Sequence, residues 1–314
     1  MKILSGAKLP ITRDGLYKSI SIDDYHSDRC LPSGEYGVSS SDLRRGWSLS
    51  MAHLFDTWVH NPKRAPRDKE PRHFILGRAA HHLLLGESRF STEFIKQPDE
   101  YRDLATAKMK PWNNNANFCK DWNEKQAKAG RTVLREEELE QIIGMSRSLE
   151  LEPLVKDGIL DGAVECSGFV KDKETGLWIK VRPDVIPTTG GDLVDLKTID
   201  DITDRGIKRR IRESGYHMQA GLCWEVFDQL GLSFETFTLC FTEKDRPFCV
   251  RMIPIEDEDL ARGRQQCRLM MRKVADCIDR GMWPGLGQGE LRSLSLPADE
   301  RDFIDARLKS EGML

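Results

Sequence analysis

Three acidic residues and one lysine fall in three short consecutive segments in the middle of the chain. Glu165 lies in GAVECSGFV, Asp184 in LWIKVRPDVI, and both Asp195 and Lys197 in DLVDLKT. Clustered carboxylates repel one another, so a fold tolerates them where a cation compensates, and oxygen-rich sites suit Mg²⁺ or Mn²⁺. Such an ion can activate water and neutralise a phosphate, while a nearby lysine can stabilise developing charge. These residues form a candidate metal site, and the alternative is ordinary solvated charges on a half-exposed sheet.

The three segments alternate as β-strands do, and two turns join them. Strands are predicted at 162–170, 177–186 and 192–198, with DKETG and PTTGG between them. If each pair forms a hairpin, position 165 faces 184 and position 184 faces 195, with Cβ atoms about 5 Å apart. Alternation also puts Lys197 on the face of Asp195. The opposite face is predicted to be mostly apolar: Val164, Cys166, Val181, Val185, Val194 and Leu196.

Helical periodicity surrounds these strands. We predict a helix that starts at the serine-rich cap of residues 39–42, and a second hairpin over 234–255. Further helices are predicted over 74–87, 135–150, 205–212, 216–231 and 256–281. The length of 314 residues permits one large α/β domain, or a core domain with an added lobe.

Basic and aromatic residues each allow two interpretations. The helix predicted over 205–212 carries four cations close to one face: Arg205, Lys208, Arg209 and Arg212. Such a face suits contacts with phosphate groups, and it is equally typical of a solvated helix surface. Four tryptophans can stack on a frayed base or pack in the core, and we favour the core: Trp47, Trp58, Trp112 and Trp122.

Composition excludes several classes of protein. Hydrophobic residues make up 39% of the chain and charged residues 32%, which excludes a membrane protein and a wholly disordered one. We read no signal peptide at the start of the chain. The net charge of −3 by itself argues against nucleic-acid binding, but the local distribution of charge is the better guide. The eight cysteines form no CxxC pair, so we expect reduced, buried thiols in a cytosolic protein.

Periodicity divides the chain into three parts. We predict an extended arm over 1–38, one domain over 39–284 and a surface tail over 285–314. Within the domain, 39–160 is predicted to be the helical part, and 161–284 the catalytic sheet with its helices.

The ordered motifs resemble those of a known nuclease superfamily. Asp184, preceded by Pro183, and Asp195-Leu196-Lys197 have the form of the PD-(D/E)xK motif. Residues 77–81 (GRAAH) resemble the GxxxH helix motif of its RecB-like branch, and residues 216–219 (YHMQ) resemble that branch's Tyr/Gln motif. The segments SSSDLRRGWSLSMAHLFDTW and MWPGL are similar to the exodeoxyribonuclease VIII (RecE-type) family of phages and prophages. The resemblance covers roughly residues 35–285 and implies a restriction-endonuclease-like α/β core, a mixed β-sheet flanked by helices, with N-terminal helical additions.

The resemblance also implies a role for each matching residue. Lys197 would be the catalytic lysine, and Glu165 would help to bind or activate a metal. One or two Mg²⁺ or Mn²⁺ ions would be bound by the side chains of His81, Asp184 and Asp195 and by the carbonyl of Leu196. Tyr216 and Gln219 would position the phosphate or the residues at the sheet edge.

By the same resemblance, the chain is expected to be a metal-dependent exodeoxyribonuclease of linear duplex DNA. Family members degrade the 5′-terminated strand and leave a 3′ overhang for a single-strand annealing protein, and some form ring-shaped oligomers. We therefore expect a homo-oligomer, a ring tetramer or trimer, that acts on DNA ends in the cytoplasm of a bacterial host cell, without a membrane. The alternatives are a structure-specific endonuclease on the same fold and a catalytically silent DNA-binding protein. The scattered cysteines do not match a Cas4-like iron–sulfur nuclease.

Overall fold

The computed structural model describes residues 3–4, 8–65, 72–85, 90–103, 105–164, 166–188, 190–287, 291 and 293–313. Its helices are α1 (Ile22–Tyr25), α2 (Ser40–Ser48), α3 (Met51–Thr57), α4 (Arg72–Leu84), α5 (Phe90–Glu93), α6 (Asn117–Lys128), α7 (Glu136–Leu151), α8 (Pro153–Lys156), α9 (Asp204–Ser214), α10 (Tyr216–Gln229), α11 (Asp257–Arg280) and α12 (Ala298–Ser310). Its strands are β1 (Ile3–Leu4), β2 (Gly15–Tyr17), β3 (Gly37–Ser39), β4 (Phe94–Lys96), β5 (Glu100–Arg102), β6 (Met109–Pro111), β7 (Thr132–Leu134), β8 (Gly162–Val164), β9 (Ser167–Lys171), β10 (Trp178–Val181), β11 (Val185–Pro187), β12 (Asp192–Ile199), β13 (Thr236–Glu243) and β14 (Val250–Pro254).

Two five-stranded sheets form the centre of the molecule, with strand orders β1-β2-β9-β10-β3 and β14-β13-β12-β11-β8. In the second sheet β12 runs parallel to β13. The other three pairs of neighbouring strands in this sheet are antiparallel. The mixed sheets flanked by helices confirm the predicted α/β architecture. The predicted second hairpin is present as β13 and β14, and the predicted long helices are present with ends shifted by a few residues.

The two strands predicted at 162–170 and 177–186 are each broken into two. The first becomes β8 and β9, and the second becomes β10 and β11. Pro183 lies in the second break, where it supplies no N–H to the ladder and keeps the residue before it extended. The break changes which side chains share a face. Cys166 and Val181 lie in the main core beside α10, whereas Val185 packs in a separate cluster, so their predicted common face is wrong.

Both faces of the second sheet are covered. On one face Val185, Val194, Leu196 and Cys240 are buried against Leu149 of α7. On the other face the main core holds residues of β12 and β13 together with α10 and α11. The half-exposed sheet considered from sequence is therefore not what forms, and the carboxylate of Asp195 on β12 is placed in a buried environment.

Two glycines set the distance between α10 and α11. A Cβ at Gly263 of α11 would lie 2.0 Å from the carbonyl oxygen of His217, and one at Gly221 of α10 would lie 2.2 Å from the amide nitrogen of Arg264. Both neighbours are backbone atoms, which no change of rotamer can move. The two helices therefore cross at a separation that only glycine allows.

The N-terminal region packs more closely than an extended arm would. Strand β2 pairs with β9, and β3 pairs with β10, so this segment supplies strands to the first sheet. Its apolar residues form a buried cluster with Phe169 and Trp178: Ile11, Tyr17, Ile20, Tyr25, Cys30 and Leu31. At the other end α12 buries none of its side chains. Among the described helices, none is both long and apolar enough to cross a membrane.

The cysteines agree with the sequence analysis. All eight are free thiols, and seven are buried, with Cys249 exposed. Burial raises the pKa of Cys267 to about 12 and keeps that thiol protonated.

Candidate active site

Strand register brings two of the predicted acids together. Val185 pairs with Val194 across β11 and β12, and with Val164 across β11 and β8. This is the predicted register, so Asp184 and Asp195 lie at the same level of the sheet. Glu165, the third predicted acid, lies outside the described residues.

Asp184 is buried and held by main-chain and side-chain donors. Its Oδ2 accepts a 2.6 Å hydrogen bond from the amide of Leu196 and lies 3.4 Å from Nδ1 of His81. Burial alone would raise the pKa of Asp184, but His81, Lys197 and this N–H outweigh it and lower the pKa. The N–H and C=O of one strand residue point to the same side of the strand. The Leu196 carbonyl therefore also faces the side of Asp184.

Asp195 is the most buried of the charged groups at the site, with 1% of its surface exposed. Its Oδ1 accepts a 2.9 Å hydrogen bond from Nε2 of Gln219. Its Oδ2 forms an ion pair with Nζ of Lys197 but accepts no hydrogen bond of ordinary geometry from the described residues. Burial, followed by the negative charge of Asp184, raises the pKa of Asp195 to about 6. One carboxylate oxygen at the centre of the site is thus held mainly by charge.

Lys197 stays charged although only 17% of its side chain is exposed. Burial alone would lower its pKa, but Asp195 and Asp184 outweigh that effect and raise it. The Nζ also lies 5.0 Å from the ring centroid of Tyr216, a favourable cation–π distance. The lysine is therefore a fixed positive charge between two carboxylates and an aromatic face.

Helix α4 brings His81 to the sheet. Burial alone would lower the pKa of His81, but the carboxylate of Asp184 outweighs it and raises the pKa. Gly77, one turn earlier, faces Thr198 of β12, and a Cβ there would meet Thr198 Oγ1 at an ordinary 3.7 Å. The packing of α4 on β12 therefore does not require glycine at position 77.

The start of α10 places Tyr216 and Gln219 over the carboxylates. Helix α9 begins with the Thr203 side chain capping the N–H of Gly206, and it ends at Gly215 with a φ of 63°. This left-handed residue lets α10 begin at the next position.

Arg44 of α2, which the sequence analysis did not single out, braces this junction. Its Nη1 donates to the Ser214 carbonyl at 2.5 Å, and its Nε donates to Ser40 at 3.2 Å. Its only signal in the sequence is a pair of arginines in a predicted helix.

The donor set suits a hard divalent ion. Mg²⁺ is commonly held by one or two carboxylates while it retains several waters, and the two carboxylates here lie beside a strand carbonyl. The incompletely hydrogen-bonded Oδ2 of Asp195 and its raised pKa are features that a bound cation would relieve. Among the described residues no three His, Cys, Asp or Glu side chains converge to form a complete ligand set. The two aspartates and the Leu196 carbonyl are therefore the oxygen donors that a metal could bind here with water as its remaining ligands, while His81 in this structure contacts Asp184 and does not complete a set of three side chains.

The predicted cations of α9 lie outside the carboxylate site, on the molecular surface. All four side chains are exposed: Arg205, Lys208, Arg209 and Arg212. They form a ridge between two hollows, because Lys208 and Arg212 line one hollow and Arg209 lines another. Arg209 lies 4.0 Å from the half-exposed Asp201, and such a solvent-screened pair leaves much of the positive charge available.

Comparisons with known proteins identify the family and the fold. One solved structure, a Eubacterium rectale protein described as a candidate exonuclease, shares 14% sequence identity and a TM-score of 0.57, over 91% of this chain and 98% of that one. At this identity the likeness shows a shared fold. A second, SSO0001, has 15% identity over 65% of this chain and 88% of its own, with a TM-score of 0.26, too low to support an argument. Comparison with curated proteins gives no significant match. A family model described as a PDDEXK-like domain of unknown function (DUF3799) matches residues 42–292. The chain therefore belongs to this family of PDDEXK-like domains.

Proposed function

We propose that the protein is a divalent-metal-dependent deoxyribonuclease that degrades linear duplex DNA from its ends. The observation that carries this proposal is the buried pair Asp184 and Asp195, with Lys197 ion-paired to the latter. A nuclease needs this arrangement because carboxylates hold cations next to a phosphate, and a fixed ammonium group stabilises negative charge. Membership of the PDDEXK-like family supports the same chemistry.

The metal would be held by Asp184, Asp195, the Leu196 carbonyl and His81. One or two Mg²⁺ or Mn²⁺ ions bound there would supply an activated water and neutralise charge on the phosphate. Gln219 fixes the orientation of Asp195 through its hydrogen bond to Oδ1. Lys197, kept protonated by the surrounding carboxylates, stabilises the extra negative charge that the phosphate gains in the transition state.

The site also needs a surface that orients the DNA backbone. The exposed cations lie on α9, the first helix after β12, and follow Lys197 by eight to fifteen residues in the sequence. Lysine and arginine at such positions neutralise phosphates without reading the base sequence. We assign this ridge to the duplex backbone: Arg205, Lys208, Arg209 and Arg212.

The remaining features of the proposal come from the resemblance to the exodeoxyribonuclease VIII family. They are 5′-to-3′ digestion, release of a 3′ single strand to an annealing protein for recombination, and a ring-shaped homo-oligomer in the bacterial cytoplasm. Glu165 belongs to this part of the proposal as a further metal-binding or metal-activating residue.

The test compares linear and circular duplex DNA. Linear duplex labelled at the 5′ or 3′ end and covalently closed circles are incubated with Mg²⁺, and the products are resolved on gels. We expect loss of linear DNA only, with the 5′ label released first as mononucleotides or short fragments. Nicking of circles would instead indicate an endonuclease, and no cleavage with any divalent ion would indicate a DNA-binding protein.

A matched pair of variants on one strand isolates the site. Asp195→Asn removes a central carboxylate charge and should abolish cleavage. Asp192→Asn is the control, because Asp192 lies on the same strand and binds Thr236 Oγ1 at 2.7 Å, away from Lys197. Equal activity in the two variants would refute the assignment of the site.

A further inference from the structure

A groove lies beside the start of α10, on the other side of that helix from the carboxylates. It has a volume of about 680 Å³, within the range of pockets that hold ligands of nucleotide size. Helices α2, α9, α10 and α11 form its walls. We name it the Trp47 groove and define it by Trp47, Lys208, Ile211, Arg212, His217 and Leu269.

The apolar part of the groove is unusually open to solvent. Trp47 is 47% exposed and Leu269 is 41% exposed, and Ile211 of α9 also lines the groove. The other tryptophans considered from sequence have packing partners. Trp58 is buried, and Trp112 and Trp122 contact each other edge to face. Trp47 thus keeps about half of its surface exposed to solvent at the groove.

The two rims of the groove differ in charge. On the α11 rim Arg262 forms 2.8 Å ion pairs with both Asp259 and Glu258, so its charge is compensated. On the α9 rim Lys208 and Arg212 are exposed, and Arg212 lies 3.9 Å from the exposed Glu213. A ligand that matches this groove carries a flat apolar group next to a negative charge on the α9 side.

The groove is also close to the candidate active site. His217, which lines the groove, follows Tyr216, whose ring lies against Lys197. Consecutive Cα atoms are about 3.8 Å apart, so the first turn of α10 alone separates the two sites. The ring of His217 is held by Gln266 of α11 at 2.8 Å. A nucleic-acid strand that crosses this turn can contact both sites at once.

We propose that the Trp47 groove binds unpaired nucleotides of a DNA strand, with a base stacked on Trp47 and phosphates at Lys208 and Arg212. This inference rests on the proposed nuclease function. It adds a single-strand site to that function and assigns those two cations to an unpaired strand as well as to the ridge. An unpaired base is required because a base inside a duplex has both faces covered by its neighbours, whereas an exposed base can stack on an aromatic side chain.

The test is binding of a labelled oligothymidylate to the full-length protein in EDTA, measured by fluorescence anisotropy. EDTA prevents hydrolysis, so binding is measured independently of activity. Trp47→Ala should weaken binding at least about fivefold, and Trp47→Phe should retain most of it because an aromatic face remains. Lys208→Ala should reduce the slope of log affinity against log salt concentration by about 0.7, one single-strand phosphate contact.

Two matched variants serve as controls. Trp112→Ala removes an indole that packs on Trp122, and Lys120→Ala removes an exposed lysine of α6. Both should bind the oligonucleotide as the unmodified protein does. If Trp47→Ala fails to fold, the double variant Lys208→Ala, Arg212→Ala tests the same groove through two exposed residues.

Several results would overturn the inference. They are no oligothymidylate binding by the unmodified protein, unchanged binding in Trp47→Ala, or an equal loss in the Lys120→Ala control. A change in self-association in Trp47→Ala without a change in DNA binding would mark the groove as a protein surface and would also overturn it. A different result would refute the nuclease proposal alone. In that case the protein binds the oligonucleotide through Trp47 but cleaves no DNA in Mg²⁺.

Discussion

Replacing Gly263 by alanine should force α10 and α11 apart and thereby disable a site that this glycine does not touch. The new Cβ would lie 2.0 Å from the His217 carbonyl oxygen and 3.0 Å from the Met218 amide nitrogen. These are backbone atoms of α10, so relief requires the helices to separate by about 1 Å. Overpacking costs about 1–3 kcal/mol, and rigid neighbours put this case at the upper end.

The expected net effect combines that cost with the helix propensity of alanine. Alanine in a helix interior is favoured over glycine by about 1 kcal/mol, so the free energy of unfolding should fall by about 2 kcal/mol. For a chain of 314 residues that corresponds to a fall in Tm of about 3 °C. The same movement displaces Gln219 from Asp195, and a displacement of about 1 Å at a catalytic site can lower the rate about 100-fold.

Thermal unfolding and digestion of linear duplex DNA measure the two effects. Gly77→Ala is the matched control, because Gly77 also lies inside a helix near the site but its Cβ would make an ordinary 3.7 Å contact. The control should unfold at or above the Tm of the unmodified protein. An unchanged Tm together with unchanged cleavage in Gly263→Ala would refute the reasoning about the helix crossing.

Three further predictions concern one buried and two half-buried polar groups. His60 accepts a 3.0 Å hydrogen bond from the Gly37 amide, and burial lowers the pKa of His60 to about 4. The unfolded chain binds the proton on His60 at a higher pH than the folded chain does. The stabilisation by His60 is therefore complete above about pH 6.5 and is lost as the pH falls to about 4. Urea unfolding should show that the free energy of unfolding falls by about 2–3 kcal/mol over this range. Asp172 is buried and accepts a 2.5 Å hydrogen bond from Arg268, so Asp172→Ala should lower the free energy of unfolding in urea by about 3 kcal/mol. Gln219→Ala should lower the cleavage rate about tenfold with little change in DNA affinity, because the amide orients a carboxylate without contacting the DNA.

Each of these predictions has a result that contradicts it. For His60, the variant His60→Gln should lose most of the pH dependence between pH 6.5 and 4, and an unchanged dependence would assign it to other groups. For Asp172, the control is Arg262→Ala at an exposed ion pair on α11. An equal effect of both substitutions on the free energy of unfolding would show that the buried pair stabilises the fold no more than an exposed one. For Gln219, a large loss of DNA affinity with an unchanged rate would make it a substrate contact.

Local patterns were sufficient for the register of the central strands. The two Gly-containing turns and the alternation of residues place Asp184 opposite Asp195, because a shift of one residue would turn every side chain to the other face. The pairing of Val185 with Val194 confirms this register. The same local signals located α7, α9, α10 and α11, since helix caps and apolar stripes are properties of short segments.

Local sequence patterns could not predict contacts between segments that are distant in the chain. The sequence predicts one continuous strand across Pro183, because the alternation of residues continues through this position. In the structure the backbone divides there between two sheets. The N-terminal strands pair with β9 and β10 across more than 130 residues, and no local pattern specifies such a partner. Arg44 is a similar case, since its hydrogen bond to Ser214 joins residues 170 positions apart.

The sequence by itself determined which residues could perform the chemistry, because residue type and strand alternation are local properties. Only the tertiary structure decided the environment of those residues. Covering both faces of the sheet buries Asp195 and raises its pKa to about 6, and the Gly221–Gly263 crossing sets where Gln219 meets it. Tertiary packing also leaves Trp47 exposed while Trp58 is buried, although the two lie only eleven residues apart in the sequence. Burial and helix separation depend on segments that are distant in the chain, and for that physical reason they appear only when the chain is folded.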